Sequence, residues 1–352
     1  FFFKQKTAYE IYQCDWSSDV CSSDLSVTIS KIVALSITAS AKSANYGDSI
    51  SSLYGTSTGY ATTGLGSGVI NALTYTYAGS GSTVYASSTT APSAPGTYTV
   101  TPSAVGFSTG STNNYTTITY NSGTLTIASS TLTVTATLSA SSINYGGTTP
   151  TNSYSTTGLG SGVISSVTYT YQGTGSTVYG PSTTAPTNAG TYSITPSAIT
   201  FSTGATSNYS SISYSAGTLT INKKVLTATP NNITATYGDS SLTYSIGVTG
   251  FANSETTSTA TGYVSPTCTS TYTDTTSVTS VPTYSCTGGS ANNYTVTNTG
   301  TGNVTINKAT LTITPDAKSV TYGNAAPSYT FTVSGFKNSE TTSSAAGYSA
   351  PS

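Results

Sequence analysis

The sequence predicts an all-β chain of tandem β-sandwich-like modules in an elongated array, with a β-grasp-like module as the alternative. Alternating runs, repetition at a domain-sized period and a near absence of charge point there. Thr74–Tyr77 and Thr168–Tyr171 read Thr-Tyr-Thr-Tyr, while Thr124–Ile127 and Thr218–Ile221 read Thr-Leu-Thr-Ile. Residues two apart share one face of a strand, so these runs set Thr on one face and Tyr, Leu or Ile on the other. Clusters of Gly, Asn, Ser and Pro separate the runs as turns. Weak charge and abundant Ser and Thr also suit a disordered stalk, but disorder requires no period of two.

The repetition is direct. Tyr46-Gly47-Asp48, Tyr145-Gly146-Gly147, Tyr237-Gly238-Asp239 and Tyr322-Gly323-Asn324 each follow an apolar strand-like run. They recur every roughly 85 to 100 residues, a domain-sized period rather than that of a solenoid. The first two repeats are close copies: Gly64–Ile70 (GLGSGVI) recurs at Gly158–Ile164, Ser88–Pro92 (STTAP) at Ser182–Pro186, and Phe107–Gly110 (FSTG) at Phe201–Gly204. The last two are a second subtype, sharing Gly250–Thr257 with Gly335–Thr342 as Gly-Phe-x-Asn-Ser-Glu-Thr-Thr. One helical turn is expected there, capped by Asn253 or Ser254. An Asn-Tyr pair precedes a late strand at Tyr115, Tyr209 and Tyr294, and a closing strand follows each. The expected organisation is 26–128, 131–222 and 224–308 as three repeats and 309–352 as a truncated fourth, with short joints that favour a semi-rigid rod.

Residues 1–25 are set apart. They hold the only Trp, two of the four Cys and a composition unlike the rest. Back-translated, Lys4–Ile11 and Asp15–Leu25 resemble sequencing adapters read as coding sequence. The segment is expected to be non-native, and its deletion to leave folding unchanged.

The opening strand, the Tyr-Gly-x turn, Gly-Phe-x-Asn-x-Glu, Asn-Tyr-Thr and the closing Leu/Val-Thr-Ile strand together resemble the MBG-type (YGX) tandem repeats of bacterial secreted and surface adhesins. The resemblance is best over 224–352. In the first two repeats only the opening and closing strands fit, and GLGSGVI departs from the pattern. The resemblance implies a bacterial cell-surface or extracellular location and no catalytic chemistry. The last two repeats align without gaps, Thr267 falling on Ser352. The gene is therefore expected to continue with a Cys, a second Cys, an Asn-Tyr-Thr strand and a closing strand.

Composition excludes whole classes of chemistry. From Ser49 to Asn222 there is no Asp, Glu, Lys, Arg or His. Acid–base and metal catalysis draw on those side chains, and nucleic-acid binding needs a basic surface. No enzyme activity, cofactor, metal or nucleic-acid partner is expected, and no apolar run is long enough for a membrane span. Cys268 and Cys286 lie in one repeat with strand-like sequence between them. Without His or a third natural Cys they read as a structural disulfide, which implies an oxidising compartment. Asp48, Asp239 and Asp274 are too sparse for calcium. Asn114, Asn208 and Asn293 fit the glycosylation acceptor pattern but read as turn residues. The tyrosines either stack on sugars or pack inside, and their recurrence at equivalent positions favours packing. The expected role is a stalk or multivalent adhesion array. Candidate partners are host or environmental glycans, or neighbouring copies of the same protein. The rival is a set of carbohydrate-binding accessory modules of a secreted glycan-active enzyme.

Overall fold

Two strands lead into each of the first three Tyr-Gly turns, and the two go to different sheets. The computed structural model describes residues 28–32 and 34–352; the proposed adapter segment, 1–25, lies outside them. The first repeat runs β1 (Leu35–Ala39), β2 (Lys42–Asn45), β3 (Tyr60–Thr63), β4 (Val69–Gly79), β5 (Gly96–Thr109), β6 (Ile118–Asn121) and β7 (Gly123–Ala128). The second runs β8 (Ser130–Leu138), β9 (Ser142–Asn144), β10 (Asn152–Thr157), β11 (Val163–Gly173), β12 (Gly190–Thr203), β13 (Tyr209–Ser215) and β14 (Gly217–Asn222). The third runs β15 (Lys224–Pro230), β16 (Ile233–Thr236), β17 (Ile246–Thr249), β18 (Thr267–Ser270), β19 (Thr283–Thr287), β20 (Tyr294–Asn298) and β21 (Gly302–Asn307). The fourth has β22 (Thr312–Pro315) and β23 (Phe331–Ser334).

Strand order is the same in the first three repeats. The sheets are β3-β1-β6 with β2-β7-β5-β4, β10-β8-β13 with β11-β12-β14-β9, and β17-β15-β20 with β16-β21-β19-β18. The opening strand lies antiparallel to one neighbour and parallel to a late strand, as β1 does between β3 and β6. The second strand pairs in parallel with the closing strand, β2 with β7 and β16 with β21. A three-stranded and a four-stranded sheet per repeat make a sandwich-like module. The two sequence subtypes therefore share one topology despite their different centres.

Period-two alternation explains what lies between the sheets. In β1, Leu35, Ile37 and Ala39 are buried while Ser36 and Thr38 are half-buried. The described chain divides into two compact units. One holds the residues up to Leu132 with Gly158–Ile164 and Phe201–Ile212; the other holds Thr133–Thr157, Ser165–Thr200 and Ser213–Ser352. In the first, one core patch joins Ala39, Tyr77, Tyr98, Val100 and Leu125, and another joins Leu35, Ile37, Val105 and Tyr115. In the second, one cluster runs from Ile194 and Leu219 through Tyr145 to Leu226 and Tyr294. A smaller one holds Ala235, Tyr284, Cys286 and Val304.

One expectation is overturned. Gly-Phe-x-Asn-Ser-Glu forms no helical turn: Asn253 and Ser254 have φ of 53° and 59°, and Asn338 and Ser339 repeat this at 52° and 58°. Two consecutive left-handed residues cannot continue a right-handed helix, and Asn tolerates that region better than most side chains. Among the described residues the helical segments are short 3-10 turns, such as Ile50–Tyr54.

Candidate functional site: the joints between repeats

Cys268 and Cys286 sit directly opposite each other on antiparallel β18 and β19 and are joined by a disulfide. Cys286 is buried beside Tyr284 and Val304, and Cys268 packs partly against the same cluster. Among the described residues β18 is the end strand of its sheet, so the bond ties an edge strand to its ladder partner β19.

Tyr98, Tyr115, Tyr192 and Tyr209 pack inward, whereas Tyr322 and Tyr329 are exposed, and the hydroxyls of the buried ones reach backbone at equivalent places. Tyr98 and Tyr192 donate to the carbonyls of Ala94 and Asn188. Tyr115 and Tyr209 donate to those of Leu65 and Leu159. Asp48 and Asp239 do not gather into a cation site. Each carboxylate accepts the backbone N–H three residues earlier, from Asn45 and Thr236, and so closes its Tyr-Gly turn. Asn293 is 6% exposed and serves neighbouring backbone and amide groups rather than solvent: its Oδ1 accepts from the N–H of Ala189, and its Nδ2 donates to Asn188 Oδ1.

Sequence reading missed the role of the Tyr-Gly turn itself. One residue separates β14 from β15, so the second and third repeats must meet. There Tyr145 Oη donates to Glu255 Oε1 at 3.1 Å, and Tyr294 Oη donates to Glu255 Oε2. The N–H of Ala252 donates to Tyr294 Oη at 3.0 Å. The rings of Tyr145 and Tyr294 meet edge to face at 5.2 Å, and Phe251 closes on Tyr294 at 5.6 Å. Burial, reinforced by the bond to Glu255, pushes the Tyr294 phenol up to about 12, keeping it a neutral donor. Gly146 has φ of +78°, and a Cβ there would overlap that of Ala252. The turn thus needs glycine for its backbone and for the approach.

The same contact recurs. Tyr237 Oη donates to Glu340 Oε1 at 2.8 Å, and a Cβ on Gly238 would run into the Lys337 side chain. Asn338 Nδ2 and the N–H of Gly238 both donate to the carbonyl of Asp274. Within the first compact unit, Tyr46 meets Tyr209 edge to face at 5.4 Å, and Gly47 abuts Gly160. No carboxylate takes part there, because the second repeat has none. Burial, then Tyr46, pushes the Tyr209 phenol up to about 12. The sequence holds part of the signal, since Tyr-Gly recurs at each junction and Glu255 and Glu340 are the only acids of their motifs, but it does not say that turn and acid meet.

The fourth repeat carries this turn and this acceptor within one short stretch. Residues 311–351 match the family MBG domain (YGX type). The MBG match contains Tyr322-Gly323-Asn324, β22, β23 and the Gly335–Thr342 motif. The third repeat shares that motif and the same left-handed Asn-Ser pair as the MBG segment. No curated protein matches the chain. Among the described residues no helix is long and apolar enough to cross a membrane, and no group of three or more His, Cys, Asp or Glu side chains gathers.

Proposed function

We propose that the chain is a non-catalytic repeat region of an exported bacterial surface protein, acting as a stalk or multivalent adhesion array. One observation carries the reading: the Tyr-Gly turn that recurs from repeat to repeat meets the next repeat at three successive joints. Tyr46, Tyr145 and Tyr237 are spent on joints, and Tyr98, Tyr192 and Tyr284 on cores. Docked joints suit a region that holds a distal domain away from a surface or presents many weak contacts at once. The disulfide and the MBG match support placement outside the cytosol. Low charge favours association between neighbouring copies.

A glycan array combined with single-molecule pulling of the full chain tests the reading. The expected result is no saturable glycan binding, together with stepwise mechanical unfolding of repeats. Saturable binding of one glycan class would replace the stalk with carbohydrate-binding accessory modules. Turnover of a bound glycan would overturn the non-catalytic reading.

A further inference from the structure

The strands that carry the chain into and out of a repeat are inner strands of its sheets. In the first repeat β1 lies between β3 and β6, and β7 between β2 and β5. In the third β15 lies between β17 and β20, and β21 between β16 and β19. Neither end of a repeat can therefore peel away from a sheet edge. The ladders that join the first two strands to the last two are parallel. They run Leu35↔Ile118 to Thr38↔Asn121 and Lys42↔Leu125 to Asn45↔Ala128 in the first repeat. In the third they run Lys224↔Tyr294 to Ala228↔Asn298 and Ile233↔Val304 to Thr236↔Asn307.

Tension on the chain draws the first two strands of a repeat toward their N-terminal ends and the last two toward their C-terminal ends. Parallel partners then slide along one another, and the evenly spaced bonds of a ladder are loaded together. An antiparallel hairpin pulled at its open end loses its bonds one at a time instead. These strands also carry fully buried side chains: Leu35, Ile37, Leu125, Leu226, Ala228 and Val304 are each 0% exposed. Water cannot replace the stretched bonds until that core opens. In the third repeat the disulfide lies off this path, since Cys268 and Cys286 sit on β18 and β19.

We propose that the first and third repeats are tension-bearing modules, each clamped by two parallel strand pairs that are loaded in shear. The disulfide of the third repeat takes load only after its clamp has failed, and it then withholds the residues between Cys268 and Cys286 from extension. The proposal rests on the stalk reading for the source of the tension. It concerns how a repeat resists force, which glycan binding does not decide.

The test holds the full chain by its ends at constant force, with and without a dithiol reductant. Reduction frees a stretch with a sequence separation of 18, so it should lengthen one unfolding step by about 60 Å and thereby mark the third repeat. The dwell time before that step should change by less than about twofold, because bonds that outlast the rupture barrier do not set the unfolding rate. Thr297→Pro is the complement. Thr299 donates its N–H to the Ala228 carbonyl, and the alternation of a parallel ladder aims the N–H of Thr297 at that of Leu226. The Thr297 side chain is exposed, so proline removes one clamp bond without touching the core. The marked step should then come about tenfold sooner, since the Leu226 carbonyl is left unpaired. Reduction that hastens the marked step as much as about tenfold would put the β18–β19 hairpin in the clamp and overturn the proposal. So would an unchanged dwell time in a Thr297→Pro chain that keeps its β-type circular dichroism spectrum. The reduction arm needs no substitution and decides by itself if the proline chain does not fold.

Discussion

The hydroxyl of Tyr145 and the missing Cβ of Gly146 serve one joint with unequal weight. Tyr145→Phe removes one hydrogen bond, but Glu255 keeps its bond from Tyr294. The expected loss is about 1 kcal/mol, read from urea denaturation. Gly146→Ala forces a side chain into a left-handed residue and against Ala252, so it should cost about 2–3 kcal/mol. Gly323→Ala is the control: φ there is +92°, with open space around it, so only the backbone penalty of about 1–2 kcal/mol remains. If both alanines cost the same, the Gly146 approach carries no energy. The disulfide was legible in sequence because Cys268 and Cys286 had no other candidate partner outside 1–25. Glu255 was not, because a lone acid in a polar turn reads as a solvated charge, and its partner Tyr145 lies 110 residues earlier.

At the scale of elements, the β18–β19 pair depends on its cross-link. Strands of four and five residues carry it, and β18 lies at the end of its sheet among the described residues. Closing a loop with a sequence separation of 18 should stabilise the third repeat by about 3 kcal/mol. Reduction, or Cys268→Ser with Cys286→Ser, should release β18 first. Hydrogen exchange should then quicken at Thr267–Ser270 and Thr283–Thr287 and stay unchanged in β1 to β7. Quickening spread evenly over all repeats would contradict a local staple. Strands were readable because Thr-Leu-Thr-Ile has one physical interpretation in a half-buried sheet. The Gly-Phe-x-Asn-Ser-Glu segment was not: Asn before Ser and Glu suits a helix cap and a left-handed turn alike, and both copies take the turn.

For the whole molecule, the absence of His removes the usual titration between pH 5 and 8. Tyrosine takes over at the alkaline end. Burial pushes Tyr54, Tyr75, Tyr209 and Tyr294 each up to about 12. An unfolded chain ionises its phenols near 10, so between about pH 10 and 12 the folded state binds more protons and stability falls as pH rises. The melting temperature should stay nearly flat from about pH 5 to 9 and drop above about 10. Tyrosinate absorbance should then rise together with loss of the β-type circular dichroism signal. Ionisation of every phenol near 10 without unfolding would refute the burial argument. The tandem organisation was plain from the recurring motifs, whereas the joints needed three dimensions, since turn and acceptor sit in different repeats. Each of these repeats carries its tyrosine turn and its seat at fixed, separate places along the chain. A gene that gains or loses one whole period therefore rebuilds a compatible joint at the scar, and repeat number can drift between relatives at little structural cost. A recombination break out of phase would strand a tyrosine without its seat, so length variation should come in whole periods.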